Sequence, residues 1–471
     1  MDADPDRTTG LAARPPTCDI AVIGGGAAGM MAAIAAASQG QRLDVAIIEG
    51  QERIGRKLLA TGNGRCNLGH REWTLDNYHG HHPLFALEAL RQLNVDDTLG
   101  LFRQLGLLCR IDGDGRIFPY SLQASAVLDI LRLRLDRLGV RVLAPFKVEK
   151  LVPRNIHGKP AGFDLFSADG RSMAAGCVIV ATGGLAAPSF GCDGSGYSLM
   201  KRLGHNLVTP FPAIVQVCTD PALVRPLAGT KCDGRVSVQV DGQVQRTETG
   251  EILFTEYGLS GPPVLQLSRI VGECLPDLPV LPDRRRNHDR NASPPAVFML
   301  IDFVPEMTDD DVTSWLKERC QADPECPLPD FLTGLIHKKL GQAILKQAIG
   351  RSLKGDCRSL SGQDLVQTSQ HLKHWVVQAL GTRGWSQAQV TAGGLDSTQF
   401  HEDTLESRLI PGLYAAGEIL DIDGDCGGFN LQWAWSSGWL AGSNAAKRCA
   451  AATRCAAATR CAAAIGKAGR S

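Results

Sequence analysis

The sequence predicts an α/β fold in which a parallel β-sheet wrapped by helices is interrupted by an antiparallel β part and a helical part. Three features carry that prediction. An apolar run, Ile20–Ile23, passes through Gly24-x-Gly26-x-x-Gly29 into an alanine-rich stretch and returns as Leu43–Ile48, the pattern of a βαβ unit. From Phe211 to Ser268 the chain alternates in short β-like runs with turns such as Asp241-Gly242, which predicts an antiparallel sheet or small barrel. From Thr308 to Leu380 the apolar spacing is helical, over Asp309–Arg319, Phe331–Ile349 and Gly362–Ala379. The character of the chain shifts near residues 210, 305 and 385.

The opening unit is specific about what it can hold. Gly24 permits the tight turn after the strand, Gly26 lets backbone approach a pyrophosphate, and Gly29 lets helix pack close to strand. The first helical turn, with Ala27 and Ala28, then offers free N–H groups to phosphate. Glu49 ends the second strand some twenty residues past Gly29, where it can accept hydrogen bonds from an adenosine ribose.

Composition sets the outer limits. The 471 residues suffice for two or three domains, and 49 basic against 49 acidic residues give a net charge of zero, so nothing points to a polyanionic partner. Residues Met1–Pro16 are polar without an apolar core, and the longest apolar run is too short to span a bilayer; a soluble cytoplasmic protein is expected. Fifteen cysteines are scattered without a C-x-x-C or a neighbouring histidine pair, which argues for reduced, buried thiols and against a structural metal. Three of them, Cys449, Cys455 and Cys461, sit in a repeated Arg-Cys-Ala-Ala-Ala-Thr at the C-terminus that reads as a low-complexity extension, helical or frayed.

After Glu49 comes a loop dense in glycine, amide and cationic groups, Arg53 to Asn67. Loops on the carboxyl side of a parallel strand face the ligand crevice, so Arg56, Lys57, Thr61, Gly62, Asn63, Arg65, Cys66 and Asn67 are candidates to meet phosphate or a ring edge. Leu84–Leu108 predicts two amphipathic helices joined near Val95–Thr98, and Ala124–Leu138 a third. Strands are predicted at Val140–Leu151, which brings Val148 towards the crevice, at Gly162–Ser167, and at Cys177–Val180 running into Ala181-Thr182-Gly183-Gly184, which returns the chain to the nucleotide from its far side. Gly191–Gly196 lacks a preceding strand and is not a second fingerprint. Arg284–Arg286, in a proline-rich and charged stretch, reads as a solvated loop, so nucleic acid is not favoured. A last strand is predicted at Gln387–Thr391.

The closing segment narrows the ligand. Gly412–Ala416 is a predicted strand ending in Gly417-Glu418, and a carboxylate there, with Asp421 close behind, suits the polyol hydroxyls of a ribityl chain. Gly428 precedes a helix start at Asn430 and Leu431, whose N–H groups can meet the N1 and O2 edge of a flavin and stabilise the charge that develops on its reduction. FAD is therefore the expected cofactor. With no second nucleotide fold, NAD(P)H as donor would visit the flavin transiently, or oxygen would accept the electrons. Trp433, Trp435 and Trp439 read as packing, and Cys426 as a small buried filler. No residue stands out as a catalytic acid or base.

These motifs resemble a family: the bacterial Rossmann-like flavoproteins known as NAD(P)/FAD-dependent oxidoreductases or as the aminoacetone oxidase family of FAD-binding enzymes. The resemblance rests on Gly24–Gly29, Gly55–Asn67, Gly115–Pro119, Ala181–Gly184, Thr255–Pro262, Gly412–Glu418 and Gly427–Gln432, in family order from about residue 18 to 447. It implies a discontinuous Rossmann-like FAD-binding domain with an inserted β-barrel domain that itself carries a helical insertion. The expected division is a disordered N-terminus 1–17, an FAD-binding domain 18–208 with 396–447, a barrel 209–304 with 376–395, a helical insert 305–375, and a tail 448–471. The expected activity is hydride transfer between flavin N5 and a small organic substrate. Members act on substrates as different as small amines and steroid-like enones, so the resemblance does not choose one. The alternatives are an oxygen-using amine oxidase, a flavin-dependent modifier of RNA, or a non-enzymatic flavin-binding protein.

Overall fold

The computed structural model describes residues 16–39, 42–156, 159–276 and 295–468. Its centre is a seven-stranded sheet. Strand β1 (Thr17–Ile23) leads through helix α1 (Ala27–Ala37) to strand β2 (Val45–Ile48), and the two strands pair in parallel with Ile20 opposite Val45 and Ile23 opposite Ile48. Both are buried apolar runs, as strands covered on two faces must be. Helix α1 is buried almost all round, which is why it is made of alanine instead of being amphipathic.

The strand Ser172–Val180 lies on the other side of β1 and has two further partners. Its first half, Ser172–Ala175, pairs antiparallel with Phe163–Phe166; its second half, Val178–Val180, pairs in parallel with Leu413–Ala415. That split lets the chain leave the sheet after residue 180 and re-enter it at 413 beside the glycine loop. Between those points lies a closed six-stranded barrel (Val217–Thr219, Gly258–Ser260, Gln243–Phe254, Lys231–Val240, Val297–Asp302 and Trp375–Thr382), with helices Asp309–Ala322, Lys338–Ile349 and Gly362–Lys373 between its last two strands. The final helix, Phe429–Ala468, packs on α1 through glycines: a Cβ on Gly438 would stand 2.4 Å from Ala28 O, and one on Gly442 2.1 Å from Ala32 O.

Several elements depart from the sequence reading. The strand expected across Val140–Leu151 is two, Arg141–Leu143 beside β2 and Val148–Ile156, interrupted by Pro145, which has no N–H for a ladder. The helix expected through Ala379 ends at Lys373, and Trp375–Thr382 is a barrel strand that buries Trp375, Val377 and Ala379; exposed Val376 and Leu380 on its outer face had masked the period of two. The helix expected from Phe331 starts at Lys338. The last inner strand runs Val390–Leu395, through glycines read as its end, and pairs with Leu207–Ala213. Thr17, assigned to the N-terminal tail, already belongs to β1, and the last helix starts at Phe429 and runs on past residue 447. Residues 1–15 and the Arg284–Arg286 run lie outside the described residues.

Candidate functional site

A cavity of about 660 Å³ runs from the β1–α1 turn to the start of the last helix and on to the barrel. Its volume is within the range usual for cofactor and substrate sites. At the β1–α1 end two of the three glycines are hemmed in by backbone and the third faces open space. Gly24 has φ +104, and a Cβ on it would lie 2.4 Å from Ala181 O; a Cβ on Gly29 would lie 1.9 Å from Gly24 O; one on Gly26 would meet nothing within 4 Å. Gly26 is the N-cap of α1 with no side-chain cap, so the first-turn N–H groups face the cavity at the positive end of the helix. Glu49 is fixed by two backbone donors, Gly25 N–H to Oε2 and Gln51 N–H to Oε1, each at 2.7 Å, which leaves its remaining lone pairs towards the cavity it lines.

The loop after β2 brings Lys57, Thr61, Gly62, Asn63, Arg65 and Asn67 to the cavity wall, together with Val148, Thr182 and Gly183 from the opposite side. Gly62 and Asn63 share the left-handed conformation, at φ +57 and +54. The Arg65 guanidinium stands 5.1 Å over the Phe118 ring. Lys57 Nζ meets Glu418 Oε2 at 2.7 Å, while Glu418 Oε1 accepts the Thr391 N–H at 2.7 Å. Burial alone would lower the Lys57 ammonium, but the Glu418 carboxylate more than reverses that and holds it above its ordinary value. Glu418 therefore faces the cavity as half of an ion pair.

At the far end Gly428, Asn430 and Leu431 line the cavity. The Asn430 amide is turned inwards, its Oδ1 accepting from Gly424 N–H at 2.9 Å and its Nδ2 donating to Gly424 O at 2.6 Å. The first i→i−4 bond of the helix is Gln432 N–H to Gly428 O at 3.0 Å, so the Asn430 and Leu431 N–H groups precede the ladder, as an anion or electron-rich edge would require. Trp433 also lines the cavity; it is 1% exposed, and its indole Nε1 has no hydrogen-bond partner. A buried donor left without an acceptor, an uncapped helix start at each end and an open Gly26 together fit a long ligand with phosphates in its middle, and FAD has that shape.

Four residues expected at the site stand behind it. Gly29 is filled by the Gly24 carbonyl, as above. Cys66 is fully buried, its N–H bonded to Thr61 O and its thiol pushed up to about 12 by burial. Gly417, at φ +78, packs on Ala28 and donates to Ser437 Oγ. Asp421 is 1% exposed and turned away to the His81 N–H at 2.9 Å.

The family model described as the HI0933-like protein Rossmann domain matches residues 18–444. The chain belongs to this family. Within its range lie both helix starts, Lys57 and Glu418, and the chain is accordingly an FAD-dependent oxidoreductase. A relative from Clostridium scindens named 3-dehydro-bile acid delta(4,6)-reductase is 38% identical over 91% of this chain and 99% of its own. An Escherichia coli relative named ribosomal RNA dihydrouridine synthase is 30% identical over 89% of this chain and 96% of its own. A flavocytochrome c3 fumarate reductase structure aligns with 93% of this chain and 80% of its own at 16% identity and a TM-score of 0.44. No helix among the described residues is long and apolar enough to cross a membrane.

Sequence reading missed the polar group at the barrel end of the cavity. The segment Asp421-Ile-Asp-Gly-Asp425 presents an acid at every second position, and each finds a basic side chain: His81 for Asp421, Arg269 for Asp423 (2.9 Å), and both Arg246 and His79 for Asp425. Arg246 is bidentate, Nη1 and Nη2 each at 3.0 Å. Burial works to raise the Asp425 carboxyl, but His79 and Arg246 hold it down at about 2. At Asp423 burial wins over Arg269, and its carboxyl stands above the ordinary value. The alternating acids were legible; their partners, more than a hundred residues away, were not. Cys426, expected to be buried, is exposed on the cavity wall with its N–H held by Gln266 Oε1 at 2.7 Å.

Proposed function

We propose that this FAD-dependent oxidoreductase reduces a carbon–carbon double bond conjugated to a carbonyl, with NAD(P)H as the electron donor. The observation that carries the reading is the thiol of Cys426, open to the cavity just before the helix start and beside the barrel wall formed by Pro262 and Leu265. Hydride addition to such a double bond leaves a carbanion next to the carbonyl, and that carbon needs a proton. Bound FAD supplies the hydride chemistry at N5. Among the groups at this end Asp425 holds no proton at neutral pH, because Arg246 and His79 keep it ionised. Desolvation by the surrounding cavity wall raises the Cys426 thiol above its ordinary value, so it keeps a proton to give, and the open cavity it lines lets that proton be restored.

The names of the relatives support the same chemistry. Reduction of a 3-dehydro bile acid at its delta(4,6) positions and formation of dihydrouridine each add two hydrogens across a double bond that stands in conjugation with a carbonyl. A uracil ring in RNA is the second reading, favoured by the name of the Escherichia coli relative. In both, the Asn430 and Leu431 N–H groups stabilise negative charge at the reduced ring, and the Lys57–Glu418 pair holds the middle of the cofactor.

The test is turnover under exclusion of oxygen. NADH or NADPH consumption should depend on an added 3-oxo-4-ene or 4,6-diene steroid and yield a product two mass units heavier. Consumption that depends on an unmodified ribosomal RNA fragment instead would favour the second reading. Indifference to both, with flavin bleached by a primary amine, would reject the proposal in favour of an oxidase.

A further inference from the structure

The first cysteine of the C-terminal repeat does not hang free of the fold. Cys449, on the last helix, lies with its sulfur 3.3 Å from the sulfur of Cys177 on the strand Ser172–Val180, and both side chains are buried, at 8% and 2% exposure. Two glycines flank the pair: a Cβ on Gly176 would be in contact with Cys449 Sγ at 3.8 Å, and one on Gly412 with Cys177 Sγ at 3.7 Å. The neighbouring Arg448 is ion-paired to Glu406 at 2.9 Å. A disulfide requires the sulfurs to approach to about 2.05 Å, a movement of little more than an ångström, in which Cys449 Sγ gives up its 3.4 Å contact with the Asp19 carbonyl.

We infer that Cys177 and Cys449 form a peroxide-oxidisable dithiol whose disulfide fastens the last helix to the central sheet. The hydrogen bond between the two sulfurs favours the thiolate at Cys449 and, with burial, disfavours it at Cys177. Cys449 is accordingly the attacking sulfur. Its thiolate cleaves the O–O bond of hydrogen peroxide and becomes a sulfenic acid, releasing hydroxide that takes up the thiol's former proton. The Cys177 sulfur then attacks Cys449 sulfur, forming the S–S bond as the second oxygen leaves with the Cys177 proton as water. Two thiols and one peroxide become one disulfide and two waters. Peroxide is the product when reduced flavin meets oxygen, so the oxidant would arise at the start of the same helix, on whose middle Cys449 lies. A third thiol, Cys18, lies nearby on β1, and burial pushes it up to about 12.

The full-length FAD-loaded protein, reduced with dithiothreitol, desalted and exposed to a small excess of hydrogen peroxide, should give a cross-linked Cys177–Cys449 peptide in a non-reducing digest. The melting temperature should rise by about 5 °C and fall back on renewed reduction. Cys177→Ala and Cys449→Ala should each abolish the cross-link and the shift while retaining FAD absorbance. Because the peptide map needs only the unaltered protein, a variant that fails to fold does not blunt the test. Full alkylation of both cysteines after peroxide, a sulfinic acid at either without a cross-link, or a link from Cys449 to Cys18 would each overturn the inference.

Discussion

Glycine and carboxylate positions in the β1–α1 turn act through contacts a few ångströms long. Gly29→Ala would set a methyl group 1.9 Å from the Gly24 carbonyl and must push helix from strand, so the variant should melt several degrees lower and purify with little FAD absorbance. Glu49→Gln keeps an acceptor but loses the charge on hydrogen bonds to both Gly25 and a ribose, and FAD affinity measured by fluorescence titration should fall roughly tenfold. Cys426→Ser should leave bleaching by NAD(P)H nearly unchanged and slow reoxidation by an enone about a hundredfold, as loss of a general acid does. An equal fall in both half-reactions would mean that the residue only packs. The Gly29 requirement was legible from sequence because it is set within six residues of chain, whereas the contact behind Gly24 comes from Ala181 on a distant strand. Glu418 was expected at the site and lines the cavity, but its partner Lys57 lies 361 residues away, and no spacing rule reaches that far. Asp421 was expected at the ribityl chain but lies behind the cavity wall against His81, and of the three alternating acids it is Asp425 that lines the cavity.

The segment Asp421–Asp425 joins the FAD-binding sheet to the barrel, since Arg246 and Arg269 both come from the inserted part of the chain. Its acid dependence has a definite sign. The Asp425 carboxyl is held at about 2 against an ordinary 3.8, so its pairing stabilises the fold fully above about pH 4 and that stability is lost as pH falls towards 2. The amount is about 2 kcal/mol. Asp423, raised by burial, acts in the opposite sense. Denaturant titrations at pH 5 and pH 3 should therefore show a smaller acid loss in Asp425→Asn than in the unaltered protein; equal losses would show that the pair contributes nothing. At this scale the alternation at Trp375–Thr382 and the break at Pro145 were readable in principle. The first was hidden by apolar residues on an exposed face, the second by apolar residues that continue on both sides of the proline.

Across the whole molecule the cavity exists because one strand is shared. Ser172–Val180 gives its first half to an antiparallel neighbour and its second to Leu413–Ala415, so a segment some 380 residues from the glycine loop closes the site opposite it. The α/β class and the division into three parts followed from periodicity and composition, since each part has its own apolar pattern, while the nesting of the helices within a barrel was implied by the family resemblance. The cavity did not follow from either, because its wall on that side is assembled from short stretches around residues 214, 262 and 388, of which only the one ending at Pro262 belongs to a motif. The account stands on what those walls admit. The most direct measurement is a single-turnover reoxidation: enzyme reduced anaerobically with one equivalent of NADPH is mixed with a 3-oxo-4,6-diene steroid, and flavin absorbance is followed by stopped flow. Return of the oxidised flavin band in step with loss of the diene absorbance is the predicted result. A flavin that stays reduced in the presence of the diene, and reoxidises only when oxygen is admitted, would contradict it.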